Sequence, residues 1–183
     1  SGCISSVLFD NMSTENQIEL ISGGWDKAIM HWDLMTQTSK TTMTCDSVVL
    51  SCDQQSNSAS QNNLIASGHT DHFIRLWDPR IDNGIAVKMK LGSHKGWVSG
   101  VSWQKSKIGQ ASSSPYSLAS CSYDSKIRIW DIRSQAPIYT ISFAQSKDDT
   151  NNTTNSKIFD IDWVGKELFV GGEDGKLRIF TTD

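Results

Sequence analysis

The sequence predicts an all-β fold of four repeated units, and three observations predict it. First, a small-residue turn runs through an Asp into an alternating strand four times: Ser22-Gly23-Gly24-Trp25-Asp26 to Trp32-Asp33, Ser67-Gly68-His69-Thr70-Asp71 to Trp77-Asp78, Ser120-Cys121-Ser122-Tyr123-Asp124 to Trp130-Asp131, and Gly171-Gly172-Glu173-Asp174 to Phe180. Second, the closing aromatics lie 45, 53 and 50 residues apart (77−32, 130−77, 180−130), the period of a supersecondary repeat. Third, each unit reads as an antiparallel sheet that cannot bury both faces alone and must stack on its neighbours.

In the first unit Val7, Phe9 and their neighbours form the inner strand, Ile18 to Ser22 the second, Ala28 to Trp32 the third and Thr36 to Thr44 the outer one. The second unit runs Val48 to Cys52, Leu64 to Ser67 and Phe73 to Trp77, with the polar run Gln54 to Asn63 as its hairpin loop. The third has the cleanest alternation: Val98 to Trp103, Leu118 to Ser122, Ile127 to Trp130 and Ile138 to Phe143. The fourth uses Ile158 to Trp163, Leu168 to Gly171 and Leu177 to Phe180, and the Asp174-Gly175 turn suits positive φ. Gln104 to Pro115 and Ala144 to Asn155 read as long polar connections with little function.

These units resemble the WD repeat. The resemblance implies a WD-repeat β-propeller in which residues 1–44, 45–91, 92–143 and 144–183 are four blades of a ring of about seven, the last lacking its outer strand. In such propellers that strand generally comes from the N-terminal part of the chain, so further blades are expected upstream.

A net charge of −3 and a pI near 5.8 argue against direct nucleic-acid binding, which needs clustered Lys and Arg. Cys3, Cys45, Cys52 and Cys121 form no metal-type pair, so reduced thiols and an intracellular home are expected. No stretch approaches the roughly 20 apolar residues of a membrane span, and Ser1-Gly2-Cys3 opens into a strand rather than a signal peptide. The sequons at Asn11 and Asn152 are those a chain rich in Asn, Ser and Thr produces by chance.

In a WD blade a His before the inner strand, a strand Ser, the turn Asp and the third-strand Trp form one buried hydrogen-bond chain, and the third unit carries all four as His94, Ser120, Asp124 and Trp130. A Ser, a His and an Asp also suggest a hydrolase triad. The repeat places them inside a blade, so stability is expected there and no enzyme. The other units have no obvious upstream His, and their networks are expected to be shorter. His69 and His72 on one turn lack a third ligand, so neither a metal nor another cofactor is expected.

Trp25 precedes its turn Asp as Thr70, Tyr123 and Glu173 do, and in WD propellers that position points to the upper face. With Lys95 and Trp97 these residues are the protein-binding candidates, since partners anchor on exposed apolar groups. The alternative is that Trp25 and Trp97 pack on the adjacent blade.

Beyond the repeat, Gly68-His69-Thr70-Asp71-His72-Phe73-Ile74-Arg75-Leu76-Trp77-Asp78-Pro79-Arg80 resembles the WD-repeat subunit family of the PeBoW ribosome-biogenesis complex. Ser93-His94-Lys95-Gly96-Trp97-Val98-Ser99, Ala136-Pro137-Ile138-Tyr139 and Gly171-Gly172-Glu173-Asp174-Gly175-Lys176-Leu177-Arg178 are similar to segments of the same family. The resemblance implies a nucleolar and nucleoplasmic scaffold for large ribosomal subunit assembly and pre-rRNA processing. Its propeller would bind a block-of-proliferation partner, pescadillo indirectly, and the pre-60S particle. Midasin would engage only an N-terminal ubiquitin-like domain, which these residues do not include. The long polar insertions suggest a fungal-like relative.

Two other readings stay open. Trp-Asp-x-Arg at Arg80 and Arg133 resembles substrate receptors of cullin-4 ubiquitin ligases, although such arginines more often pair with acids between blades. The chain also fits an unrelated WD scaffold.

Overall fold

The computed structural model describes residues 2–9, 18–55, 63–79, 87–92, 94–106, 114–143 and 156–182. Arg80, both sequons and the middle of each polar insertion lie outside these residues. The described strands form four antiparallel sheets. Blade 1 is β1 (Ile4–Phe9), β2 (Glu19–Gly24), β3 (Ala28–Asp33) and β4 (Thr38–Thr44). Blade 2 is β5 (Val49–Gln54), β6 (Ile65–His69), β7 (Phe73–Trp77) and β8 (Val87–Gly92). Blade 3 is β9 (Val98–Trp103), β10 (Ser117–Ser122), β11 (Lys126–Asp131) and β12 (Pro137–Ser142). Blade 4 has three described strands, β13 (Ile158–Val164), β14 (Glu167–Gly172) and β15 (Leu177–Thr181).

The inner strands β1, β5, β9 and β13 adjoin in order, so the blades fan around a common axis. Alternation gives each interior blade two apolar faces, and the core divides into three inter-blade layers. Between blades 1 and 2 lie Ile21, Ile29, Val49, Ile65 and Trp77; between 2 and 3, Ile74, Leu76, Val98, Trp103 and Trp130; between 3 and 4, Ile127, Ile129, Ile158, Trp163 and Leu168. Each such side chain, withdrawn from water, contributes about 1.5–3 kcal/mol. The last face is bare. Leu177 and Ile179 are 71% and 59% exposed, whereas Ile127 and Ile129, at the same register in blade 3, are 0% and 8%.

Two differences from the sequence reading concern polar residues. The run Gln54 to Asn63 is not loop from its start: β5 continues through Gln54, and both Gln54 and Gln55 are buried, with the Gln55 amide donating to Leu64 O at 2.9 Å. The outer strand β8, unassigned from sequence, pairs with β7 from Phe73↔Gly92 to Trp77↔Val87.

Candidate protein-binding face

Each blade's upper end is set by one turn. The turn Asp is followed by a residue with positive φ in every blade: Lys27 (64°), His72 (73°), Ser125 (61°) and Gly175 (70°). This left-handed step closes the hairpin tightly, and glycine is the residue that adopts it without strain. The residue before the Asp donates its amide to the segment entering the inner strand: Trp25 to Cys3 O (2.8 Å), Thr70 to Val48 O (3.3 Å), Tyr123 to Trp97 O (3.0 Å) and Glu173 to Lys157 O (2.8 Å). These eight residues therefore lie at one end of the blades. In blade 3 the approach is close enough that a Cβ on Gly96 would lie 2.7 Å from Asp124 N, so glycine lets Trp97 settle beside Tyr123.

Beneath the turn of blade 3 lies the expected chain. Trp130 Nε1 donates to Ser120 Oγ (2.9 Å), Ser120 Oγ lies 2.8 Å from His94 Nε2, and His94 Nδ1 lies 3.1 Å from both Asp124 carboxylate oxygens. The direction follows: with the tryptophan as donor, the serine hydroxyl donates to Nε2, and Nδ1–H donates to Asp124. Arg128 Nη1 also reaches Asp124 (3.1 Å) and touches the imidazole. Burial pushes the Asp124 carboxyl upward. Hydrogen bonds from His94, the Lys95 amide and Arg128 outweigh it and hold the group well below the usual carboxylate range. Burial lowers His94 against the pull of Asp124, favouring the neutral ring. Ser120 is fully buried and its oxygen is engaged by the indole, an arrangement suited to holding the turn.

The sequence reading found no obvious upstream His in the other blades and expected shorter networks; blade 2 has no such upstream His, but its network is not shorter for that. His69, within β6 itself, supplies the ring: Nε2 lies 2.8 Å from Ser67 Oγ, Trp77 Nε1 donates to the same oxygen (2.7 Å), and Nδ1 lies 3.3 Å from Ser47 O. Both ring nitrogens of His69 are thus committed. Burial, reinforced by the Arg75 charge, pushes its pKa down to about 4. In blade 1 the described residues keep the Trp32 Nε1 to Ser22 Oγ bond (2.8 Å).

A partner missed in the sequence is an arginine four residues after the turn Asp. Arg75 grips Asp71 at 3.0 and 2.6 Å, Arg128 grips Asp124, and Arg178 grips Asp174; blade 1 has Met30 there. The signal was present as Asp-x-x-x-Arg in three of the four repeats.

The protein-binding candidates separate. Trp25 is 55% exposed on blade 1, away from the others, and Thr70 Oγ1 is tied to Ser47 Oγ at 2.8 Å. Trp97, 45% exposed, stacks on Tyr123 with centroids 5.6 Å apart, and Tyr123 meets the edge of Phe159 at 5.8 Å. Lys157 Nζ sits 5.7 Å from the Tyr123 ring and 3.8 Å from Glu173. Lys95 is exposed next to Trp97. An aromatic strip therefore crosses from blade 3 to blade 4.

Phe159 was not among the candidates, and a β-bulge explains why it points there. Pairing skips one residue in each inner strand, Ser5, Leu50, Ser99 and Phe159, and a bulge re-aims the side chain it frees. Ser5 and Ser99 turn inward and donate to the next blade, to Val49 O and Ile158 O, each at 2.6 Å. Phe159 stays 46% exposed.

Of the two adaptor-type arginines, Arg133 pairs with Asp131 in its own turn and covers the Tyr116 ring at 4.5 Å, and among the described residues it meets no acid of another blade. Arg80 lies outside the described residues. The segment read as idle from Gln104 contains a clasp. Lys105 pairs with Asp162 of blade 4 (2.9 Å) and Asp53 of blade 2 (3.6 Å), and its backbone bridges to Val164.

Comparison with known proteins accords with the repeat geometry. The WD domain, G-beta repeat family matches residues 37–78 and 86–131. The solved structure of U3-55K superposes with a TM-score of 0.76 over 99% of this chain and 49% of that one, at 17% identity, a likeness of fold. The chain carries WD repeats and has the fold of a WD β-propeller. Among curated relatives of this WD-repeat chain, the ribosome biogenesis protein WDR12 homolog of Nematostella vectensis is 35% identical over 97% of the chain and 37% of its own length. The homologs of the same name from Arabidopsis thaliana and Dictyostelium discoideum are 32% and 33% identical over 97% and 91% of the chain. The chain spans about a third of the length of these relatives, 34–37%.

Proposed function

We propose that this WD-repeat chain is a non-catalytic scaffold in ribosome biogenesis whose upper face holds a protein partner. Relatives with that name support the process, and the Trp97–Tyr123–Phe159 strip is the observation that carries the binding role. Stacked blades hold these rings in place, so little further ordering entropy opposes association. The burial of Ser120, His94 and Asp124 supports a structural use of the residues that resemble a triad. At finer grain, the chain acts in large-subunit assembly and pre-rRNA processing in the nucleolus and nucleoplasm. Its direct partner is a block-of-proliferation WD protein, with pescadillo reached through it, and the assembly sits on the pre-60S particle. Midasin contacts would belong to a domain outside these residues. The ligase-receptor reading draws no support from the relatives.

Affinity purification of the tagged full-length protein from nuclear extract tests this. Co-recovery of large-subunit precursor rRNA with the block-of-proliferation and pescadillo proteins is the expected outcome. Recovery of a cullin-4 adaptor without precursor rRNA would overturn it.

A further inference from the structure

The aromatic strip ends at an acidic cavity, and the junction has the makings of a recognition site. The inner strands border an open concave space of about 700 Å³, lined by Phe159 and by the charged side chains Asp53, Asp160, Asp162 and Lys105. Three carboxylates thus face one ammonium. Lys105 is committed to Asp162 and Asp53, at 2.9 and 3.6 Å. Asp160 is exposed, accepts a hydrogen bond from the Ile161 amide at 2.9 Å, and among the described residues has no cation within salt-bridge distance. Asp160 follows Phe159, the residue that the β13 bulge frees from pairing, and both residues line the same opening.

From this we propose that the junction of blades 3 and 4 is a docking site for an extended peptide segment in which apolar side chains flank a Lys or Arg. The inference rests on reading the upper face as protein-binding, and it names the partner's chemistry. The partner's cation pairs with Asp160 at the cavity mouth, and its aliphatic stem lies along Phe159. The flanking apolar residues cover Tyr123 and Trp97. The strip is polar in sense: Lys95 lies beside Trp97 at its outer end, while Lys157 is offset by Glu173 at 3.8 Å, so the basic residue points inward. The carboxylates that favour a cation would repel phosphates, which sets a peptide ahead of single-stranded RNA.

The test is selection of a displayed random peptide library on the full-length protein, followed by fluorescence anisotropy of the enriched peptides. Enriched sequences with a Lys or Arg between apolar residues are expected. Asp160→Asn and Phe159→Ala should each weaken them about tenfold or more at unchanged melting temperature. Enrichment of acidic peptides, absence of enrichment, or unchanged affinity in both variants would overturn the site. So would binding of a labelled oligouridylate that Phe159→Ala abolishes. Normal recovery of pre-ribosomal particles alongside any of these outcomes would remove this site alone and leave the scaffold reading standing.

Discussion

His69 shows how one buried ring makes stability depend on pH. Its pKa falls from 6.5 to about 4 on folding because burial disfavours the imidazolium. The unfolded chain therefore binds more protons in this range. Stability from the neutral ring is present above pH 6.5 and is lost as pH falls toward 4. The difference corresponds to about 3 kcal/mol at full extent. Urea titrations at pH 7 and pH 5 should show wild type weakening on acidification and His69→Gln weakening less; identical slopes would contradict the assignment. Ser120 offers a second test. Ser120→Ala leaves the Trp130 indole and His94 without their shared partner, and a loss of about 1–3 kcal/mol should appear in the unfolding midpoint. The His94–Ser120–Asp124–Trp130 set was legible because repeat spacing fixes it. His69 was not, since its ring reaches the same place from within a strand, two residues after Ser67.

The element that recurs is the turn with its left-handed step. Gly175 takes φ 70° without strain, whereas Lys27 holds φ 64° with a side chain. Gly175→Ala should therefore cost about 1–2 kcal/mol, and Lys27→Gly should cost nothing or stabilise slightly. Thermal melts that move in the same direction by equal amounts would show that the steps are not equivalent. Strand positions were largely legible because period-two alternation is strong in sequences such as Lys126-Ile127-Arg128-Ile129-Trp130. The bulges were not. They change register by one residue and depend on the next inner strand, so Phe159 was invisible as a surface residue.

At the scale of the molecule, stacking depends on contacts between blades that no single repeat encodes. Lys105 links blades 2, 3 and 4, and burial pushes the Asp53 carboxyl up while Lys105 pulls it back. Lys105→Ala should destabilise by about 1–3 kcal/mol because it strands a buried carboxylate, and Asp53→Asn in that background should recover part of the loss. Sequence placed Lys105 in an idle connection because its partners lie 52 and 57 residues away (105−53, 162−105). The central claim is that the upper face of blades 3 and 4 holds the partner. Its most direct measurement is calorimetric titration of the full-length protein, as wild type, Trp97→Ala and Lys95→Ala, with a purified block-of-proliferation propeller. The account predicts at least a tenfold weaker complex for Trp97→Ala and little change for Lys95→Ala, as expected of a buried anchor beside a rim charge. Equal affinity for all three proteins would contradict it.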